Sequence, residues 1–150
     1  MNRRPPVSFA ASSFAIQASL APVHATDEIE GVIAAQARDP GGGLFAMPDV
    51  FNARNRELII ALAARYGVPA VYFDRVFANS GGLISYGSYF AVQFGQAAVY
   101  IDRIFKGEKP ADLPIQAPTK FELIINLKTA KALGLTISRD FLLIADEVIE

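Results

Sequence analysis

The sequence contains no cysteine and a single histidine, His24, among its 150 residues. The absence of cysteine excludes disulfide bonds, thiolate chemistry and metal sites held by sulfur. With one histidine there is no cluster of ligands at metal-site spacing, and Asp49, Asp74 and Asp102 fall on different predicted elements. We therefore predict no metal and no cofactor.

Long apolar runs and an excess of charge are also missing. No stretch of about 18 strongly apolar residues occurs, so no transmembrane helix is predicted. The net charge is −1 and the basic residues are scattered, which argues against nucleic acid as a partner. Hydrophobic residues make up 52% of the chain and charged residues only 19%. The composition predicts a globular domain that lacks a partner or a second half, and a homodimer through exposed apolar surface is one such partner.

The first 25 residues allow two interpretations. A basic start, an apolar middle and Val-His-Ala at 23–25 are features of an export signal, but prolines and polar residues interrupt the apolar part. The interpretation we favour is a strand with its flanks over residues 13–23. Residues 1–12 match no pattern and are predicted to be a separate N-terminal segment.

Apolar periodicity and turn residues predict strands that alternate with helices. The further strands are predicted at 43–49, 68–73, 82–87 and 121–125. The helices are predicted at 26–38, 53–67 and 88–106, from Asn126 to Gly134, and from a cap at Ser138 to Glu150. Residues 107–120 are proline-broken and predict an extended connector. This alternation predicts an α/β fold, a Rossmann-like three-layer sandwich with a mostly parallel sheet.

Polar residues near two predicted helix starts indicate how those helices are capped. Asp27 with Glu30 three residues later forms a capping-box pattern. Asn52 precedes the helix at 53–67 and is predicted to cap it.

The sequence offers little for catalysis. Ser85 in ISYG follows a predicted strand, but a serine nucleophile needs a base, and the only histidine lies near the other end of the sequence. The stretch also lacks the Gly-x-Ser-x-Gly form. The glycines of DPGGGL at 39–44 precede their strand, whereas a phosphate cradle needs them after a strand and at a helix N-terminus. We predict no catalytic residue and no enzyme activity.

Polar and aromatic residues do follow several predicted strands, and in open α/β sheets ligands bind beyond the carboxyl ends of strands. The groups are Pro48 and Asp49, then Phe73, Asp74 and Arg75, then Ser85, Tyr86 and Gly87. A carboxylate, a guanidinium, hydroxyls and an aromatic ring suit a small polar or amino-acid-like ligand. The competing interpretation is that the acids cap helices and the tyrosines are core-edge aromatics.

Four stretches carry a family resemblance: PTKFELIINLKTAKALGLTI (118–137), LIIALAARYGVPAVY (58–72), GGLISYG (81–87) and YIDRIFKGEKPADLPIQ (100–116). They resemble the C-terminal half of bacterial ABC-transporter substrate-binding proteins of the tryptophan/tyrosine type. The resemblance runs from Ser13 to Glu150 and implies that residues 13–150 form the C-terminal lobe, plus remnants of the other lobe. The family is similar to type I periplasmic binding proteins, which have two Rossmann-like lobes around a cleft.

The resemblance also implies a function. The implied function is that of the solute-binding component of an ABC importer. Such a component closes on a solute between its lobes, docks to permease subunits and works in the periplasm. Carried over residue by residue, the matching cleft positions are Asp49, Asp74, Ser85 and Tyr86. The first lobe is missing, so we expect a truncated chain, and helix 88–106 would help build that lobe.

Two other functions stay open. A ligand-sensing domain of a transcription regulator would need a helix-turn-helix upstream, and residues 1–12 are too short for one. A small Rossmann-like enzyme would need a glycine loop after the first strand, and PVHATDE at 22–28 has no glycine.

Overall fold

A computed structural model describes residues 11 and 14–150. The elements in chain order are α1 (Glu28–Gln36), β1 (Leu44–Ala46), α2 (Val50–Arg54), α3 (Arg56–Arg65), β2 (Ala70–Tyr72), α4 (Arg75–Asn79), β3 (Ile84–Ser88), α5 (Phe90–Phe105), a 3₁₀ turn (Pro110–Asp112), β4 (Phe121–Asn126), α6 (Leu127–Ala132), α7 (Arg139–Leu143) and β5 (Glu147–Ile149). This order confirms the predicted α/β class.

The five strands form one sheet in the order β1-β2-β3-β4-β5. Three of the neighbouring pairs are parallel, and only β3 and β4 run antiparallel. The sheet is therefore mostly parallel, as predicted. Because of the single reversal, the carboxyl ends of β1, β2 and β3 share an edge with the amino end of β4.

The core lies on one face of this sheet. The strand register places Tyr72, Ser85 and Ile124 side by side on that face. Helices α1, α3 and α4 cover it, with Ile33 and Phe77 fully buried. The Phe77 ring stacks on Tyr72 at 4.8 Å between centroids, and burial raises the pKa of the Tyr72 hydroxyl to about 12, which keeps it neutral.

The opposite face of the sheet is only partly covered. Phe45, Tyr86 and Phe121 point to that side and are each about half-exposed. The long helix α5 has no buried residue at all. Both surfaces therefore keep apolar side chains in contact with water.

The predicted strand at 13–23 is absent from the described residues. Residues 14 and 15 form a turn and residues 16–23 have no regular structure. A strand needs a neighbour for its backbone N–H and C=O groups, and this segment pairs with none of the five strands. Residues 1–10, 12 and 13 lie outside the described residues. Nearly all of the predicted segment 1–12 is therefore outside them as well.

The end of the chain also differs from the prediction. Ser138 caps α7 as predicted, accepting a hydrogen bond from the Phe141 N–H, but the helix ends at Leu143. Residues Glu147–Ile149 form β5 and pair with β4 instead. The backbone hydrogen bonds offered by the open edge of β4 outweigh the local helical pattern.

The predicted caps at α1 and at 53–67 are wrong. Asp27 makes no capping bond, and Glu28 accepts from the backbone N–H groups of His24 at 2.8 Å and Ala25 at 3.3 Å. These bonds favour the ionised carboxylate and lower the pKa of Glu28. Instead of one helix starting after Asn52, the chain forms α2 and α3, and α2 is capped by Asp49.

This finding predicts different effects for neighbouring acids. Glu28→Gln should lower the melting temperature more than Asp27→Asn, because only Glu28 carries the backbone hydrogen bonds. Since folding lowers the pKa of Glu28, its contribution is present above the ordinary value of 4.5 and is lost as the pH falls through the folded value. Thermal unfolding at neutral pH and below pH 4 checks this. An equal loss in both variants at neutral pH would contradict it.

Candidate functional site

An open groove of about 240 Å³ lies at the edge of the sheet where β2 and β3 end. Its walls are residues 74–76 after β2, residues 87–91 from the end of β3 to the start of α5, and Glu122 of β4. Ligand pockets usually measure about 300–1,000 Å³, so this groove by itself is smaller than a usual small-molecule site.

Asp74 stands at the groove because it begins a short helix. Its backbone is extended, and its Oδ1 accepts a hydrogen bond from the Val76 N–H at 2.8 Å, which caps α4. The local sequence Asp-Arg-Val-Phe therefore folds as a cap followed by a helical turn. This bond engages one of the two carboxylate oxygens.

Arg75 connects the helix to two strands. Its guanidinium donates to Glu122 on β4 at 3.2 Å and to Glu147 on β5 at 2.5 Å. It also lies 5.9 Å from the centre of the Tyr89 ring. Charged hydrogen bonds to a mostly buried partner hold a side chain more firmly than exposed ion pairs do, and the Glu122 side chain is mostly buried.

Lys120 completes this network on the other side of Glu122. Its Nζ lies 3.7 Å from a Glu122 oxygen and 4.6 Å from the centre of the Tyr89 ring. Together with Asp74 and Glu147, the network has three acidic and two basic side chains, a net charge of −1. The groove therefore favours a ligand with a positively charged group.

Gly87 is the residue of β3 that allows this close arrangement. A Cβ built at Gly87 would lie 1.8 Å from the Phe73 carbonyl oxygen, closer than any real contact. Only glycine fits where β3 passes against the turn that carries Asp74.

The structure places only Asp74 of the four predicted residues in the groove. Asp49 is exposed after β1, on the same edge of the sheet, and caps α2 by accepting from the Phe51 N–H. Ser85 and Tyr86 are adjacent on β3, so their side chains point to opposite faces. Ser85 is 1% exposed in the core, and its Oγ has no hydrogen-bond partner among residues 14–150.

Tyr86 lies on the less covered face of the sheet, stacked on Phe121 at 5.9 Å between ring centroids. The aromatic rings that line the groove belong to Tyr89 and Phe90, three and four residues further on. Sequence reasoning missed Tyr89 and Glu122. Placing Glu122 required knowing that β4 runs antiparallel to β3, which its apolar pattern does not show.

Neither a metal cluster nor a membrane-crossing helix was found in the described part of the chain. No three or more His, Cys, Asp and Glu side chains there are arranged to hold a metal ion. No helix formed by residues 14–150 is both long and apolar enough to cross a membrane.

Comparison with known proteins identifies the family. A family model described as ABC transporter substrate binding protein matches residues 7–149. The chain belongs to this family, which consists of binding proteins and not enzymes, in agreement with the sequence prediction. A search of curated proteins finds no match.

Solved structures show the same fold. A conserved domain protein from Vibrio cholerae has a TM-score of 0.85 at 23% identity, and an ABC domain in complex with L-Trp from Streptococcus pneumonia has 0.85 at 22%. A ligand-free, open substrate-binding protein with adhesive properties from Clostridium difficile has 0.65 at 15%. The first two matches cover 95% of this chain and the third 96%, but the chain spans only 48% of each.

The packing of Gly87 yields a test of the groove's construction. Gly87→Ala should destabilise the fold by about 1–3 kcal/mol or more, because the added methyl forces β3 away from the Phe73 carbonyl. Gly95→Ala is the matched control. It lies within α5 with open space around its Cα, so alanine should stabilise by up to about 1 kcal/mol. Urea unfolding of both variants measures this, and a neutral Gly87→Ala would show that the contact is not tight.

Proposed function

We propose that this chain forms one wall of the solute-binding cleft of an ABC importer's substrate-binding protein. The solute is a small polar or amino-acid-like molecule held at the groove beside Asp74. The observation that carries the proposal is the convergence of Asp74, Arg75 and Tyr89 at the carboxyl ends of β2 and β3, where open α/β sheets bind ligands.

The chemistry of the groove favours an amino-acid-like solute. The net charge of −1 attracts an ammonium group, and the Asp74 carboxylate is the short acidic side chain placed to accept its hydrogen bonds. Arg75 is held at two of its nitrogens, and its remaining N–H groups suit a carboxylate. The bound L-Trp in the streptococcal structure supports this class of solute for the present chain.

The other predicted residues keep their roles as candidates. Asp49 is exposed at the same edge and Tyr86 on the neighbouring sheet face, and we propose both as contacts for a larger solute. Ser85 lies on the core side and would act on the solute only through β3.

A cleft also needs a facing wall from outside residues 14–150. We propose that a second lobe or a second copy of the chain supplies it, and that closure of the two walls traps the solute. The closed protein then delivers the solute to the permease subunits. Like the family in general, it would work outside the cytoplasm, in the periplasm.

Calorimetry with a panel of amino acids that includes L-Trp tests the role of Asp74. Asp74→Asn should weaken binding at least about tenfold, because it removes a charged acceptor worth about 1.5–3 kcal/mol. Asparagine keeps an oxygen that can cap α4, so the fold is retained.

The control is Asp146→Asn. Asp146 also accepts a backbone hydrogen bond, from the Leu123 N–H at 2.8 Å, but it lies outside the groove. Its variant should bind as the parent does. Equal affinities for the parent and Asp74→Asn would contradict the proposal.

A further inference from the structure

Glu122 lines the groove, but both of its carboxylate oxygens already have cationic partners. Its Oε2 accepts a hydrogen bond from the Arg75 guanidinium at 3.2 Å, and its Oε1 lies 3.7 Å from the Lys120 Nζ. The Glu122 side chain is only 13% exposed, so little water competes for these contacts. An acid engaged in this way is a poor acceptor for the ammonium group of a solute. Its effect on a solute therefore passes through the side chains that it holds.

Arg75 is the partner of Glu122 that reaches the groove. Among the groove-lining residues that the structure describes, Arg75 is the only basic one, because Lys120 stands behind Glu122 and does not line the groove. The bonds to Glu122 and Glu147 use one N–H at each terminal nitrogen of the guanidinium. Its other N–H groups suit a carboxylate, whose planar shape matches that of the guanidinium. A solute carboxylate in the groove therefore depends on this one cation.

The two acids that hold Arg75 differ in how firmly they do so. The Glu147 side chain is 45% exposed and belongs to the three-residue edge strand β5. Glu122 is much less exposed and lies opposite Gly87 within the longest strand pairing of the sheet. Because Gly87 has no side chain, the neighbouring strand leaves room for the guanidinium beside Glu122. Glu122 is therefore the stronger constraint on the position of Arg75.

We propose that Glu122 is a positioning residue that makes the groove selective for solutes with a free carboxylate, because it holds Arg75 where that carboxylate binds. This inference rests on the proposed function and adds a requirement to it. An amine that lacks the carboxylate binds more weakly than the corresponding amino acid, although Asp74 still accepts hydrogen bonds from its ammonium group. Selectivity for the carboxylate therefore depends on a residue that does not itself contact the solute.

Titrations of the full chain with L-Trp and with L-tryptophan amide, followed by NMR, test this selectivity. Both compounds carry the ammonium group, but only L-Trp has a carboxylate. Their affinity ratio therefore measures recognition of the carboxylate. The parent should prefer L-Trp, and equal binding of the two compounds would overturn the proposal.

Two substitutions at Glu122 separate its position from its charge. Glu122→Gln and Glu122→Ala remove the same negative charge, but only glutamine keeps an acceptor oxygen for Arg75 at the same length. The preference for L-Trp in Glu122→Ala should be at least about tenfold below that in Glu122→Gln, as expected when a charged hydrogen bond to the solute is lost. Equal preferences in the two variants would show that Glu122 acts through its charge alone and would overturn the positioning role.

Glu147→Ala is the matched control, because it also removes an acid bonded to Arg75, but an exposed one. Its preference for L-Trp should fall less than that of Glu122→Ala, and an equal or larger fall would contradict the assignment to Glu122. Asp74→Asn should weaken both compounds by a similar factor and keep their ratio. An Asp74→Asn variant that binds both compounds as the parent does counts against the proposed function and not against Glu122.

A measurement without solute tests the positioning directly. Nitrogen NMR relaxation of the Arg75 Nε–H should show a rigid side chain in the parent and in Glu122→Gln, and a more mobile one in Glu122→Ala. An Arg75 side chain that is equally rigid in Glu122→Ala would overturn the proposal. Should neither compound bind to the parent, this result alone supports or overturns the role of Glu122.

Discussion

The antiparallel pairing of β3 with β4 is the constraint on which the site depends. It runs from Ile84 opposite Ile125 to Ser88 opposite Phe121. Because β4 enters the sheet at the edge where β1 to β3 end, the residues at its start, Lys120 and Glu122, meet the turn after β2. A parallel β4 would carry the same residues to the opposite edge, and the groove would lose its acidic wall.

An ionic network of Arg75, Lys120, Glu122 and Glu147 connects the elements that this topology brings together. Arg75 spans from α4 to β4 and β5, so a single side chain fixes the helix start against two strands. The adjacent Asp74 is fixed by its own cap, which leaves its carboxylate preorganised at the groove. Preorganised polar groups bind a solute with a smaller loss of conformational entropy than side chains that must first be ordered. The network therefore joins α4 to two strands through Arg75 and Glu122, which also line the groove.

The distribution of apolar surface explains the composition. One sheet face carries a compact core, while the other face and α5 keep aromatic rings exposed. Exposing the Phe94 and Phe105 side chains to water is unfavourable in free energy. Covering them with another surface lowers the free energy by about 25 cal/mol for each Å² removed from water. Family membership and the 48% span of the solved relatives support the proposal that a second wall faces this one.

The sequence by itself determined the family, the α/β class, most strand positions and the amphipathic character of α5, because these follow from local periodicity and motif. It also located Asp74 after a strand and a helix that begins at Asn126. Only the tertiary structure decided that 14–23 is not a strand, that 147–149 joins the sheet, and that Ser85 faces the core while Glu122 faces the groove. Strand direction, pairing and facing depend on residues distant in sequence, and no local pattern records them.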